Sequence, residues 1–171
     1  TASNQTACGF RALKANTSGT NNSGVGKNAL TANTTGSNNT AVGKDVLESN
    51  TTGLENSGFG SQTLDANTTG SYNTAYGSGA LGSNTTANKN TAFGRDALFS
   101  NTTGTENVAV GYNCLDSAST AADNTAVGVN ALTAASTGHT NTAIGHGAAN
   151  SVTSGEENVA VGASALGSTT T

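Results

Sequence analysis

The sequence predicts an all-β protein: a parallel β-solenoid of ten 17-residue coils. Three observations carry this. A five-residue motif returns at a strictly constant interval along the whole chain. Each unit holds only two large apolar side chains, too few for a core unless neighbouring units stack. And 17 residues are too few for the helix pairs of ankyrin or tetratricopeptide repeats, which need over about 30.

The motif is Asn39-Thr-Ala-Val-Gly43, repeated as Asn73–Gly77, Asn90–Gly94, Asn124–Gly128 and Asn141–Gly145. Variants begin at Gln5, Asn22, Asn56, Asn107 and Asn158. The units start at 5, 22, 39, 56, 73, 90, 107, 124, 141 and 158, without insertion, so residues 1–171 form one repeat domain in which 1–4 complete a preceding unit. Numbered 1 to 17, a unit reads Asn-Thr-Ala-Val-Gly-x-x-Ala-Leu-x-x-Asn-Thr-Thr-Gly-x-x. Position 4 is apolar in all ten copies, from Cys8 to Val161, and position 9 is Leu in all but one, where Ala149 stands.

Within Asn-Thr-Ala-Val-Gly a period of two puts positions 2 and 4 on one face and 3 and 5 on the other. The larger side chain at position 4 is expected inside. Positions 3 and 5, small throughout, then form a smooth surface for a close approach or a tight bend. Asn-Thr-Thr-Gly at positions 12 to 15 reads as a turn, with Gly available for positive φ. Coils stacking at about 4.8 Å give a rod of roughly 48 Å.

Stacking explains the composition. Thr (30), Asn (23) and Gly (23) fill 76 of 171 positions, while hydrophobic residues reach 33% and charged residues 9%. Such a chain lacks the high net charge of a disordered one, at −4. Asn at positions 1 and 12 can pass amide hydrogen bonds from coil to coil, and Thr or Ser at 13 and 14 can do so with hydroxyls. Like charges in register would repel, so the charged positions 6, 7, 10, 16 and 17 are expected to vary between coils.

Several functions are excluded as expectations. Six scattered cations, Arg11, Lys14, Lys27, Lys44, Lys89 and Arg95, make no basic surface for nucleic acid. No apolar run approaches the roughly 18 residues of a membrane span. Thr1-Ala2-Ser3-Asn4 has neither the charged nor the apolar part of a signal peptide. Gly77-Ser-Gly79-Ala-Leu-Gly82 matches a dinucleotide fingerprint, but without the strand-to-helix setting that gives the motif meaning. His139 and His146, without clustered Cys or carboxylates, make no metal site. Glu156-Glu157 is the one adjacent acidic pair. No nucleophile, carboxylate pair or cofactor site can be argued, so no enzyme is expected.

Cys8 and Cys114 lie six coils apart, about 29 Å at the cross-β rise and beyond the roughly 7 Å Cα span of a disulfide. Both replace small apolar residues and are expected as buried thiols. Asn16, Asn33, Asn50, Asn67, Asn84 and Asn101 each begin Asn-x-Thr/Ser at position 12 and are candidate glycan acceptors; the competing role is an Asn ladder.

Asn107-Val-Ala-Val-Gly111 and Asn158-Val-Ala-Val-Gly162 resemble the core motif of YadA-like head repeats in trimeric autotransporter adhesins. The Asn-Thr-Ala-Val-Gly…Ala-Leu…Asn-Thr-Thr-Gly form resembles repeats of phage and bacterial tail-fibre-like proteins. The likeness covers the whole chain, although the head repeat is a few residues shorter. It implies a left-handed parallel β-roll, often trimeric, serving as an extracellular adhesive or spacer on a cell or virion surface.

The expected function is therefore a structural or adhesive fibre component. It would be a stiff rod of backbone ladders with stacked Leu and Val, either a trimeric shaft meeting at positions 3 and 5 or a filament subunit. The chain begins and ends within equivalent turns, so the expectation covers both a segment of a longer rod and a subunit stacking head to tail. Partners are expected to be other copies of the chain and a cell-surface or carbohydrate receptor, met through variable positions that include Phe10, Tyr72, Phe99 and Tyr112. The alternative is an ice-binding solenoid, with Thr and Asn ladders ordering water. A sugar-cleaving β-helix is a third reading, and lacks a carboxylate pair.

Overall fold

The computed structural model describes residues 2–168. Thr1 and Thr171, which the repeat puts at position 14, lie outside them. The chain is a β-solenoid with one three-residue strand per coil, at positions 2 to 4. The strands are β1 (Thr6–Cys8), β2 (Ser23–Val25), β3 (Thr40–Val42), β4 (Ser57–Phe59) and β5 (Thr74–Tyr76), then β6 (Thr91–Phe93), β7 (Val108–Val110), β8 (Thr125–Val127), β9 (Thr142–Ile144) and β10 (Val159–Val161). They form a single parallel sheet in chain order, and every strand pairs with the equivalent residues 17 positions on.

The remainder of each coil is turns, yet it is laddered too. Position 9 donates its N–H up the stack, as from Leu30 to Val46 O at 3.1 Å. Position 7 donates down, as from Asn28 to Phe10 O at 2.8 Å. Backbone pairing therefore runs around the coil rather than along one side.

The face assignment on the strand is the reverse of the expected one. Position 3 points inward: Ala41, Ala75, Ala92, Ala109, Ala126 and Ala143 are fully buried. Position 4 points out, leaving Phe93 50% and Ile144 42% exposed. The interior is filled from the opposite wall by position 9, where Leu30, Leu47, Leu64, Leu81, Leu98, Leu115 and Leu132 have no exposure, together with mostly small residues at position 8. With Leu reaching across, the strand side has room only for Ala or Gly. The stacked core is thus Leu and Ala, not Leu and Val.

Each Leu is held at φ between 51° and 55°. For a side chain with a Cβ that left-handed conformation costs about 1–2 kcal/mol. Full burial of Leu returns about 1.5–3 kcal/mol, so the strained turn is sustained by what it delivers to the core.

The positive-φ glycine is at position 5, not 15. Gly26, Gly43, Gly94 and Gly128 have φ between 132° and 140°. A Cβ on Gly94 would lie 2.4 Å from Gly111 O in the next coil. The close approach made possible by this small residue is between successive coils of one chain.

The Asn ladders lie inside the rod. At position 1, the Nδ2 of Asn39 donates to Asn22 Oδ1 at 3.2 Å, and the Asn39 backbone N–H donates to the same oxygen at 3.0 Å. The pattern continues to Asn158. At position 12, Asn50 donates to Asn33 Oδ1 at 2.8 Å. The two ladders meet at the position-15 carbonyl: Asn22 and Asn33 both donate to Gly36 O, at 2.8 and 3.0 Å. Each coil is thereby clipped shut on itself as well as onto its neighbour, which offsets the cost of burying so many amides.

Candidate functional site

Since the interior is closed, function must lie on the outer rows. The first is the outward strand face. Position 4 runs Val25, Val42, Phe59, Tyr76, Phe93, Val110, Val127, Ile144 and Val161 in one straight line. At its middle three rings stack, with Phe59–Tyr76 centroids 4.4 Å apart and Tyr76–Phe93 4.7 Å apart. The ring faces are spent on one another, so this row offers ring edges and aliphatic side chains. Position 2 beside it carries mostly Thr, half-exposed.

Cys8 begins this row and is exposed, contrary to the expectation of a buried thiol, because position 4 faces out. Cys114, at the inward position 8, is fully buried, and burial pushes its thiol up to about 12. Its Sγ lies 3.3 Å from Ala126 O, where it acts as a weak donor.

The sequon asparagines are ladder residues. Asn33, Asn50, Asn67, Asn84 and Asn101 have no exposure, and each Nδ2 donates both to the preceding rung and to its own turn. Asn16 is half-buried, with its Nδ2 on Gly19 O at 3.0 Å. A glycan on any of these nitrogens would require the amide to leave the coil. The position-13 hydroxyls are likewise occupied: Thr34 Oγ1 donates to Thr51 O at 3.0 Å.

The second surface is the edge formed by positions 16 and 17. Here the side chain of one coil accepts the position-16 N–H of the coil before it. Ser37 Oγ accepts from Thr20 at 3.0 Å, and His139 Nδ1 accepts from Ala122 at 3.1 Å. His139 is therefore part of the ladder, while His146 is exposed. In the position-17 row Lys89 pairs with Glu106 at 2.8 Å, which raises the lysine and lowers the carboxylate. Tyr72 (position 17) and Glu156-Glu157 are exposed.

The third surface is the flank formed by positions 6, 7, 10 and 11. Like charges do follow one another here, correcting the expected variation: Lys27 precedes Lys44 at position 6, and Glu48 precedes Asp65 at position 10. The lysines have Asp45 between them. Burial works to raise that carboxyl, but hydrogen bonds from Lys44 and Asn28 and the charges of both lysines outweigh it and hold the group low. Asp65 moves the other way: burial pushes it up, backbone hydrogen bonds from Ala66 and its own N–H only partly oppose this, and the charges of Glu48 and Asp45 add to the push. Phe10 and Tyr112 at position 6 lie beside Arg11 and Arg95, each guanidinium carbon 5.8 Å from its ring centroid.

The Gly77–Gly82 string belongs to this flank. Gly77 is the position-5 glycine of its coil, at φ 130°, and Gly79 and Gly82 stand at positions 7 and 10. No helix follows it among the described residues, so the helix N-terminus that gives the dinucleotide motif its meaning is not formed there. Instead the missing side chains open a cavity of about 500 Å³ bordered by Asp65, Arg95, Asp96 and Phe99. Nothing in the sequence marked this notch apart from the accidental glycine spacing.

Among the described residues no group of three or more His, Cys, Asp or Glu is placed to hold a metal ion, and no helix is long and apolar enough to cross a membrane. The chain matches no protein-family model, no curated protein and no solved structure.

Proposed function

We propose that the chain is a structural rod, a shaft segment of a cell- or virion-surface fibre, whose copies associate side by side through the outward strand face. The observation that carries this reading is the position-4 row. It is an in-register apolar row running the length of the sheet, with Val25, Phe93, Val110, Ile144 and Val161 exposed and the members between them partly so. Extended apolar surface of this kind marks an interaction site, and a row that repeats every coil is best matched by another row with the same repeat. The interface therefore involves positions 2 and 4 rather than 3 and 5, which are taken up by the core and the next coil. The likeness of Asn107–Gly111 and Asn158–Gly162 to adhesin head repeats supports a three-chain shaft.

Light scattering after size-exclusion chromatography tests it. A mass near three times 16.6 kDa, reduced to one chain by Phe93→Asp with Val110→Asp, is the expected result. A wild-type mass of one chain overturns the reading. Very large polymer insensitive to those substitutions makes the rod a head-to-tail filament instead.

Ice binding is favoured by one feature, the half-exposed position-2 Thr spaced along a flat sheet. Ser23, Ser57, Val108 and Val159 interrupt that rank, and the Asn ladders are turned inward. Thermal hysteresis at millimolar protein is the result that would favour it over the fibre.

A further inference from the structure

The two variable rows at positions 7 and 10 run beside each other along one flank. Coil 5 is the one coil in which both are glycine, Gly79 and Gly82. The cavity this opens, about 500 Å³, falls within the roughly 300–1,000 Å³ range of small-molecule pockets.

Its walls come from the coils on either side. Below stand Gln62 and Asp65; above stand Arg95, Asp96 and Phe99. Phe99 leans into the gap: a Cβ on Gly82 would lie 2.9 Å from its Cε2, and one on Gly79 3.4 Å from its Cδ2. The ring nonetheless keeps 43% of its surface exposed. Arg95 Nε donates to Asp96 Oδ2 at 3.0 Å, and the largely exposed guanidinium keeps its other donors. Ser78 and Ser83 add hydroxyls at the rim.

We infer that this notch is a binding site for a neutral pyranose sugar. An aromatic ring beside polar donors and acceptors suits a ligand with an apolar C–H face and hydroxyls at its edge. Two carboxylates against one guanidinium leave the cavity negative, which disfavours phosphates, nucleotides and acidic sugars. The inference rests on the flank of a single chain and does not depend on the fibre reading.

Saturation-transfer NMR on the intact chain tests it, with methyl glycosides of glucose, galactose and mannose and with N-acetylglucosamine as probes. At least one is expected to give saturable transfer, strongest at its ring C–H protons. Phe99→Ala should weaken it about tenfold, the scale of one aromatic contact. Gly79→Asn with Gly82→Thr should abolish it. That pair occurs naturally in coil 2 as Asn28 and Thr31, where Asn28 Nδ2 donates to Asp45 Oδ1 at 3.0 Å. Gly79 stands in the same relation to Asp96, whereas Gly82→Thr would push the Phe99 ring out of the gap; circular dichroism checks that the filled coil still folds. Absence of transfer from every probe overturns the inference, as does affinity unchanged in both variants.

Discussion

Asn101 and Ala118 occupy the same place on successive coils, and the Oδ1 of Asn101 is buried with no hydrogen-bond partner. The position-12 ladder climbs through Asn84, whose Oδ1 accepts from Asn101 at 3.0 Å, and stops there because Ala118 has no amide to continue it. A buried acceptor left open costs about 1–3 kcal/mol.

Ala118→Asn is expected to pair the Asn101 acceptor but to change stability by less than about 1 kcal/mol, because the new Oδ1 would face Ala135 and become the open acceptor in its turn. The new side chain would find Ala121 at position 15, and Asn84 already makes the equivalent bond to Ala87 O at 3.2 Å. Denaturant melts check this. A clearly raised midpoint would mean that the transferred acceptor costs less at the seventh coil than at the sixth.

Val46 and Gly58 are a matched pair in the core. A Cβ on Gly58 would lie 2.6 Å from Val46 Cγ1. Gly58→Ala alone should cost about 1–3 kcal/mol by overpacking. With Val46→Ala it should be tolerated, since Ala80 and Ala92 already stand in that relation two coils on. The coupling expected from a double-mutant cycle is about 1–3 kcal/mol, and additive effects would contradict the contact.

Asp116 is pushed above the ordinary carboxylate range, first by burial and then by the charge of Asp96. The folded chain therefore holds this proton more tightly than the unfolded chain does. Its contribution favours folding below the ordinary range and is lost as pH rises through the raised value. Asp116→Asn should raise the melting temperature at neutral pH and change it less in mild acid. Asp45, held low by Lys44, Asn28 and Lys27, should behave oppositely: Asp45→Asn loses stability at neutral pH and little once the pH falls below the lowered value.

Cys114 should resist a thiol reagent until the coil opens, because its thiolate is suppressed and its sulfur is enclosed. In a Cys8→Ser variant, native reactivity should vanish and one thiol should appear on denaturation. Rapid native labelling of that variant would show the seventh coil to be loose.

The period, the strand and the buried Leu row were legible because each repeats at constant spacing and, Ala149 in the Leu row apart, with little change of size. The face of the strand was not, because a period of two says which residues share a side but not which side is inside. The rule that bulk goes inward failed at position 4. A signal was present all the same: that row runs from Cys8 through Val42 to Tyr76, a spread of volumes that a close-packed interior does not accept. Position 3 is only Ala or Gly, and position 9 is almost always Leu. Constancy of size, rather than size itself, marked the core. The notch at Gly79 and Gly82 was hidden for a different reason, since it is made by absent side chains on one coil and present ones on the next.

Ten near-identical coils invite an error peculiar to such chains, in which one coil is looped out and the next takes its place. Ladders of Asn and Gly would accept the substitute almost without penalty. Val46 would not: with the fourth coil skipped it would face Ala75 in place of Gly58, and the methyl group would occupy the space its own Cγ1 fills. One valine set over one glycine thus works as a key cut for a single neighbour, marking the third-to-fourth step of an otherwise interchangeable stack.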